Sequence, residues 1–226
     1  KDLSRRRKEA LATASHELRN PLAGLLLSTQ ILEEEALETG NEELGMMAGE
    51  MVTSARRAAD MVNELLDFTR LEAGGIHLNS RRIPPQELVD SALADVRLSR
   101  STAAVSVESS VEGHKEIRGD FGRLRLVLRN LLENACRYGE PPLRVRITNR
   151  GPGVEIHVED SGPGVPSAEQ DAVFERYRRG STSRGRDGSG IGLYISKGIV
   201  EMHGGSMRIE ESPLGGADFV VALPAV

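Results

Sequence analysis

The sequence predicts an α+β chain in two parts: a helical hairpin over residues 1–76 that forms a dimeric four-helix bundle, then an α/β sandwich over 85–226, joined by a linker at 77–84. Three observations predict this. Residues 1–73 contain one proline, and their apolar residues recur at helical spacing. That pattern stops at Leu71-Glu72-Ala73-Gly74-Gly75, and Ile83-Pro84-Pro85 breaks any continuation. Beyond the break, helical and alternating stretches intermix, as expected for helices laid on a mostly antiparallel sheet.

Composition agrees and narrows the functional classes. A chain of 226 residues suits two modest domains. With 38% hydrophobic and 28% charged residues and a net charge of -5, disorder throughout is excluded. The slight acidity argues against nucleic acid as a partner. The longest uncharged stretch, Asn20 to Leu32, is shorter than the ~17–25 residues a membrane-spanning helix needs. No apolar core of a signal peptide follows the basic start. One cysteine, Cys136, allows no internal disulfide, which predicts a reducing, cytoplasmic setting. A start at Lys1 reads as a fragment, so a membrane anchor is expected to lie, if anywhere, elsewhere in the full-length protein.

In the first part, Leu11, Leu18, Leu25 and Leu32 lie seven apart and form one bundle seam. Met47, Met51, Ser54, Ala58, Met61, Leu65 and Phe68 follow in steps of four and three and form a second. Glu38 to Leu44, with Thr39-Gly40-Asn41, is the predicted turn. Two helices alone bury too little apolar surface, so the hairpin is expected to pair with a second copy, the alternative being packing against the rest of the chain. Met46, Met47 and Met51 are therefore expected in the bundle core.

In the second part, a short helix is predicted over Pro85–Leu98, a strand near Ala104–Glu108 and a long helix over Phe121–Arg137. Strands follow near Leu143–Asn149 and Val154–Glu159, then a glycine-led helix near Gly190, then strands over Ser206–Glu210 and Ala217–Leu223. On the long helix, Asn130, Asn134 and Arg137 share one side, opposite Leu124, Leu128, Leu131, Leu132 and Ala135. An Asn carbonyl is a suitable magnesium ligand, and Arg137 supplies charge for a phosphate. Val154-Glu155-Ile156-His157-Val158-Glu159 alternates and delivers Asp160 into Ser161-Gly162-Pro163-Gly164, a turn open to close backbone approach by a ligand. Gly188-Ser189-Gly190-Ile191-Gly192-Leu193 opens the next helix, where free backbone donors suit a phosphate. The remaining histidines, His77, His114, His157 and His203, lack metal-ligand spacing.

His16 falls on the outer side of the first helix if Leu11 and Leu18 face inward. Asn20 is one turn further on the same face, Glu17 lies at its shoulder, and Pro21 is expected to bend the helix just beyond. A neutral imidazole is a good nucleophile near neutral pH. A carboxylate on its other nitrogen fixes the tautomer.

Ser15-His16-Glu17-Leu18-Arg19-Asn20-Pro21-Leu22 resembles the phosphoacceptor box of sensor histidine kinases of two-component systems. The later motifs, Asn130-Leu131-Leu132-Glu133-Asn134, Asp160-Ser161-Gly162-Pro163-Gly164, Phe174-Glu175-Arg176-Tyr177 and Gly188 to Leu193, occur in the order of that family's catalytic domain, a member of the GHKL ATPase superfamily with its Bergerat ATP-binding fold. Resemblance covers nearly the whole chain. It implies phosphorylation of His16 by ATP, with Glu17 as its partner and Asn20 orienting water for dephosphorylation of a response regulator. It implies Asn134 as the Mg2+ ligand and Asp160 as the adenine contact. Asn130, Arg137, Tyr138, Gly162, Gly164, Gly188, Gly190, Gly192 and Leu193 would line the nucleotide. A lid over Arg178–Asp187 would carry Arg179 to the terminal phosphate.

The implied assembly is a homodimer that passes phosphate to the receiver domain of a response regulator. Two small departures stand out: Arg137 where relatives commonly have Lys, and Leu126 where Gln is frequent. The rival readings are a GHKL-type ATPase, which commonly has a Glu where this chain has Asn130, and an inactive dimerisation scaffold.

Overall fold

The computed structural model describes residues 21, 23–25, 27–36, 38–40, 43–52, 54, 55, 58, 59, 62, 78–99, 115–178, 180, 181 and 190–226, with the side chains of 97–99 excepted. His16, Glu17, Asn20, Arg179, Gly188 and the strand expected at 104–108 lie outside these residues. The chain divides into two compact units, 1–76 and 77–226.

In the first unit the described residues of 21–39 form helix α1, and those of 43–62 form helix α2, with Gly40 in a left-handed turn conformation between them. The buried residues are small: Thr29 and Ala36 on α1, Ala48, Val52, Ala55 and Ala59 on α2. Small side chains let the two helices approach closely. The expected seams lie elsewhere. Leu25, Leu32, Met47 and Met51 are 50%, 39%, 58% and 48% exposed, and Met46 is 69% exposed, so within one chain the methionines are not core. Seven-residue spacing marks an apolar face correctly but does not say which neighbour that face meets.

In the second unit the order is β1 (Ser80–Ile83), α3 (Pro85–Ser99), β2 (Ile117–Asp120), α4 (Phe121–Tyr138), β3 (Arg144–Arg150) and β4 (Gly153–Glu159). Two 3-10 turns (Ser167–Glu169, Ala172–Phe174), α5 (Gly192–Met202), β5 (Ser206–Glu211) and β6 (Ala217–Pro224) complete it. Strands β3-β4-β6-β5 form one antiparallel sheet, and β1 pairs with β2 in a small separate one. Residues 80–83, read from sequence as linker, are therefore strand. Ser80-Arg81-Arg82-Ile83 is too short and too charged to show alternation, and Ile83 finds its place only through Ile117 across the ladder.

Helices α3, α4 and α5 cover one face of the larger sheet. That face is Val145, Ile147, Val154, Ile156, Val158, Met207, Ile209, Phe219, Val221 and Leu223, all buried. The helices meet it with Leu88, Val89, Leu124, Val127, Leu128, Leu131, Ile195 and Ile199, also buried. Each such aliphatic side chain contributes roughly 1.5–3 kcal/mol.

The opposite face of β4 is polar yet buried. Glu159 is fully covered and bonded by both Arg144 and Arg146, the latter at 2.9 Å. His157 donates from Nδ1 to Asp218 Oδ2 at 2.8 Å. Arg208 and Arg150 bond Glu155; burial pushes that carboxyl up, and the two guanidiniums outweigh it and hold it below the ordinary range. Ligand atoms of His157, Glu159 and Asp218 lie within 4.8 Å of one another, a grouping invisible in sequence because β4 and β6 supply it jointly. Both Glu159 oxygens already face guanidiniums, and a divalent cation would face the same positive charges. The cluster is an ion network that holds four strands in register, although Asp218 Oδ1 is buried without a partner.

Asp120 ties β1, β2 and α4 together. Its Oδ1 accepts from Arg123 N at 3.1 Å as the N-cap of α4, and Oδ2 accepts from Asn79 N at 2.9 Å. Its own amide donates to His203 Nε2 at 3.0 Å. Burial pushes the carboxyl up, but the two amides and the Arg123 charge outweigh it and leave it below the ordinary value. A depressed carboxyl stabilises the fold above its unfolded pKa and ceases to do so as pH falls through its folded pKa. Asp120→Ala should cost about 1 kcal/mol at pH 7, with the difference from the parent starting to shrink only below about pH 4 and lost as pH falls through the lower folded pKa. Urea denaturation at about pH 7 and over the range below about pH 4 checks this.

Candidate functional site

Strand β4 ends at Glu159, and Asp160 is the first residue past the ladder. Its backbone extends the pairing with β6: Asp160 N donates to Ala217 O at 3.0 Å, and Gly216 N donates to Asp160 O at 3.1 Å. The side chain is held as firmly. Asp160 Oδ1 accepts from Gly162 N at 2.9 Å and from Ala217 N at 3.2 Å, which leaves Oδ2 for an incoming donor. Asp160 is 4% exposed. Burial pushes its carboxyl above the ordinary value, against the lowering effect of the two amides.

Three glycines make room for this carboxylate. A Cβ on Gly139 would sit 2.6 Å from Asp160 Cβ, one on Gly162 would sit 3.1 Å from Asp160 Oδ1, and one on Gly216 would sit 2.6 Å from Asp160 O and closer still to Oδ1. Gly164 has φ +67 and passes Gly216 O at 3.3 Å from its would-be Cβ, so the turn after Asp160 is pressed against the start of β6. Ser161 joins this turn to the end of α4, its N and Oγ both donating to Glu140 O. Gly139 and Gly216 were not singled out in sequence. The signal available was Gly215-Gly216 directly before an apolar strand.

Helix α4 brings the asparagines. Asn130, 8% exposed, donates from Nδ2 to Ser196 Oγ at 3.3 Å and to Gly192 O at 3.5 Å, which fastens α4 to the first turn of α5 and leaves its carbonyl oxygen as an acceptor. Ser196 is fully buried, a further residue that sequence did not reveal. Asn134 is half-buried, and its side chain bonds no described residue. Arg137 and Tyr138 follow in the last turn, both half-buried. The start of α5 carries no side-chain cap, so the amides of Gly192 and Leu193 are backbone donors of the kind a phosphate accepts.

The Phe174-Glu175-Arg176-Tyr177 segment packs on that helix. Lys197 lies over the Phe174 ring at 5.3 Å, and Arg176 over the Tyr194 ring at 5.6 Å. Tyr177 N donates to Gly190 O at 3.0 Å, so the ends of the expected lid are joined at its root. Of the site residues read from sequence, Asp160, Gly162 and Gly164 gather where β4 meets β6, and Asn130 meets Gly192 across α4 and α5. His16, Glu17, Asn20, Arg179 and Gly188 lie outside the described residues.

Among the described residues, three helices cover a four-stranded sheet beside a glycine-caged carboxylate and an uncapped helix start, an arrangement suited to binding a nucleotide. The family model described as "Histidine kinase-, DNA gyrase B-, and HSP90-like ATPase" matches residues 119–226, and the "His Kinase A (phospho-acceptor) domain" model matches 6–74. The chain belongs to the histidine kinase family. It is 35% identical, over 98% of its length, to the signal transduction histidine-protein kinase/phosphatase MprB of Mycobacterium sp. (strain KMS), and covers 44% of that protein. It is 32% identical, over 97% of its length, to the sensor-like histidine kinase SenX3 of Mycobacterium tuberculosis (strain ATCC 25618 / H37Rv), covering 54% of it. The chain thus spans about half the length of the curated relatives it matches.

Among solved structures, full-length ShkA in complex with AMPPNP superposes with a TM-score of 0.75 at 27% identity, covering 96% of this chain and 46% of that one. A mycobacterial sensor histidine kinase MprB structure gives 0.56 at 31% identity, covering 64% of this chain and 98% of that one. No described helix is long and apolar enough to cross a membrane.

Proposed function

We propose that this chain is the catalytic core of a sensor histidine kinase, with residues 1–76 as the dimerisation and phosphotransfer domain and 85–226 as the ATP-binding domain. The observation that carries the reading is Asp160, buried among three glycines with Oδ1 spent on two amides and Oδ2 left for a donor such as the adenine amino group. The similar ShkA structure, a complex with AMPPNP, supports ATP as the ligand.

The residues fit a magnesium ion. Asn134 offers a carbonyl oxygen to which no described residue donates, and hard oxygen donors suit that ion. Magnesium would neutralise charge developing on the transferring phosphoryl group. The chain's own residues do the rest. Asp160 orients the base, and the amides at the start of α5 receive phosphate oxygens. Arg137 adds charge, and Arg179 reaches the terminal phosphate. Glu17 accepts a hydrogen bond from one imidazole nitrogen of His16, and the other nitrogen forms the bond to phosphorus as the bond to ADP breaks. The phosphoryl group then passes to an aspartate of a response regulator, and Asn20 orients the water that later removes it there.

The first unit supports a homodimer. Two helices whose mutual contact is alanine-rich leave Leu25, Leu32, Met47 and Met51 exposed, an apolar face suited to a second copy. His16 belongs to one unit and Asn134 to the other, so the transfer joins groups from both units.

Incubation with γ-labelled ATP and magnesium tests the reading. Label on protein that is lost in acid and kept in alkali is the expected result. Release of free phosphate with no labelled protein would mark an ATPase instead, and neither product a scaffold.

A further inference from the structure

Helices α4 and α5 each bury a single polar side chain. On α4 it is Asn130, among leucines, Val127 and Ala135; on α5 it is Ser196, beside Ile195, Ile199 and Val200. The two exceptions meet. Asn130 Nδ2 donates to Ser196 Oγ at 3.3 Å and to Gly192 O at 3.5 Å. Replacing both members of such a buried pair by apolar groups of the same shape is close to neutral or stabilising, so stability alone does not account for the pair.

What the pair does fix is a direction. Gly192 O can only accept, so the Asn130 atom beside it is the amino nitrogen and not the carbonyl oxygen. A reversed amide would set two carbonyl oxygens against each other. Ser196 Oγ makes the shorter of the two contacts and is the main hold on that nitrogen. No described residue donates to Asn130 Oδ1, which leaves it for a ligand on the side of α4 where Asn134 follows one turn on. Without Ser196, a buried donor would keep only the long contact to Gly192 O, and the amide would be free to turn.

We propose that Ser196 is a positioning residue: its Oγ holds the Asn130 amide with Nδ2 toward α5 and so keeps Oδ1 as an oxygen acceptor for magnesium nucleotide. Ser196 is fully covered and acts only through Asn130. The role rests on the kinase reading, but the hydrogen bond does not. Two measurements on the full chain test it. In the parent without nucleotide or metal, magnetic resonance should show the side-chain amide protons of Asn130 exchanging with solvent about tenfold more slowly than those of Asn134, whose side chain bonds no described residue. In Ser196→Ala the Asn130 protons should exchange about fivefold faster than in the parent. Equal exchange of the two asparagines in the parent, or no acceleration in S196A, would overturn the hydrogen bond.

The second measurement is calorimetric titration with ATP, once with magnesium and once with a chelator in its place. S196A should lose about fivefold in affinity with magnesium and nothing without it. Asn130→Ala should lose about tenfold or more with magnesium, and the S196A/N130A chain should bind as N130A does, because Ser196 then has nothing to position. Parental affinity in S196A, an equal loss with and without magnesium, or a further loss in the double variant would each overturn the positioning role. A parent that binds no magnesium nucleotide would sink the kinase reading instead, and the exchange measurement would still judge the hydrogen bond.

Discussion

Gly216→Ala should weaken nucleotide binding by about a hundredfold in a chain that still folds. The added methyl would sit 2.6 Å from Asp160 O and Gly162 N, and closer to Asp160 Oδ1, so every atom it meets is backbone or a buried carboxylate. None is the far end of a flexible side chain that could swing away. The loop at Asp160 must shift by about an ångström, at a cost of roughly 1–3 kcal/mol in stability. The same shift breaks the Gly216 N to Asp160 O bond and moves the carboxylate from the place its two amides hold it.

A lost charge-assisted hydrogen bond is worth about 1.5–3 kcal/mol, so affinity for ATP should fall at least about tenfold and, with the cradle closed as well, about a hundredfold. Gly215→Ala is the control. Its φ is +101, but a Cβ there meets nothing within 4 Å, so it should lose about 1 kcal/mol of stability through backbone strain alone. Its affinity for ATP should stay near that of the parent. Calorimetric titration of the three chains with ATP, beside their thermal midpoints, checks both statements. Equal affinities for the parent and Gly216→Ala would show that Asp160 does not grip the nucleotide.

The contrast between those two glycines shows what was legible in the sequence and what was not. Asp160, Gly162 and Gly164 are contiguous and end an alternating strand, so a one-dimensional pattern reveals them. Gly216 acts on the same carboxylate from 56 positions downstream, and only the β4–β6 ladder, with Glu159 opposite Asp218, brings it there. The same limit applies to Ser196, which reaches Asn130 across a helix pair.

Long elements with strong periodicity, α4, β4 and β6, were predicted within a residue or two. The short strands β1 and β2 were not, because four residues pinned by Asp120 and Ile117 carry no period of their own. In the first unit the heptad leucines and methionines identified an apolar face, but the buried contact inside the hairpin uses Thr29, Ala36, Ala48, Val52, Ala55 and Ala59. Alanine at helical spacing is a weak signal beside leucine, and on α2 the two faces differ by only one residue in register. On β4 the alternation was correct, but it gave no sign that four arginines from β3 and β5 fold over Glu155, His157 and Glu159.

His16→Gln and Asn134→Ala should each eliminate phosphorylation, by different routes that one further measurement separates. His16 belongs to the 1–76 unit and Asn134 to the other. Gln has no ring nitrogen to form a bond to phosphorus, so the His16→Gln chain should take up no acid-labile label at any ATP concentration. Its nucleotide-binding residues are untouched, and its affinity for ATP with magnesium should equal that of the parent.

Asn134→Ala removes a carbonyl oxygen that no described residue engages, so its stability should change by no more than about 0.5 kcal/mol. Asn134 is the proposed magnesium ligand, and its loss should lower magnesium-dependent ATP affinity and the rate of labelling by about a hundredfold or more, below detection. Binding of ATP without magnesium should be nearly unaffected, because Asp160 and the α5 amides remain. The pair thus divides acceptor from grip: one variant binds and does not react, the other neither binds the metal complex nor reacts. Label appearing on His16→Gln would move the acceptor to another side chain, and full magnesium-dependent binding by Asn134→Ala would move the ion to another ligand, Asn130 Oδ1 being the nearest candidate on the same face of α4.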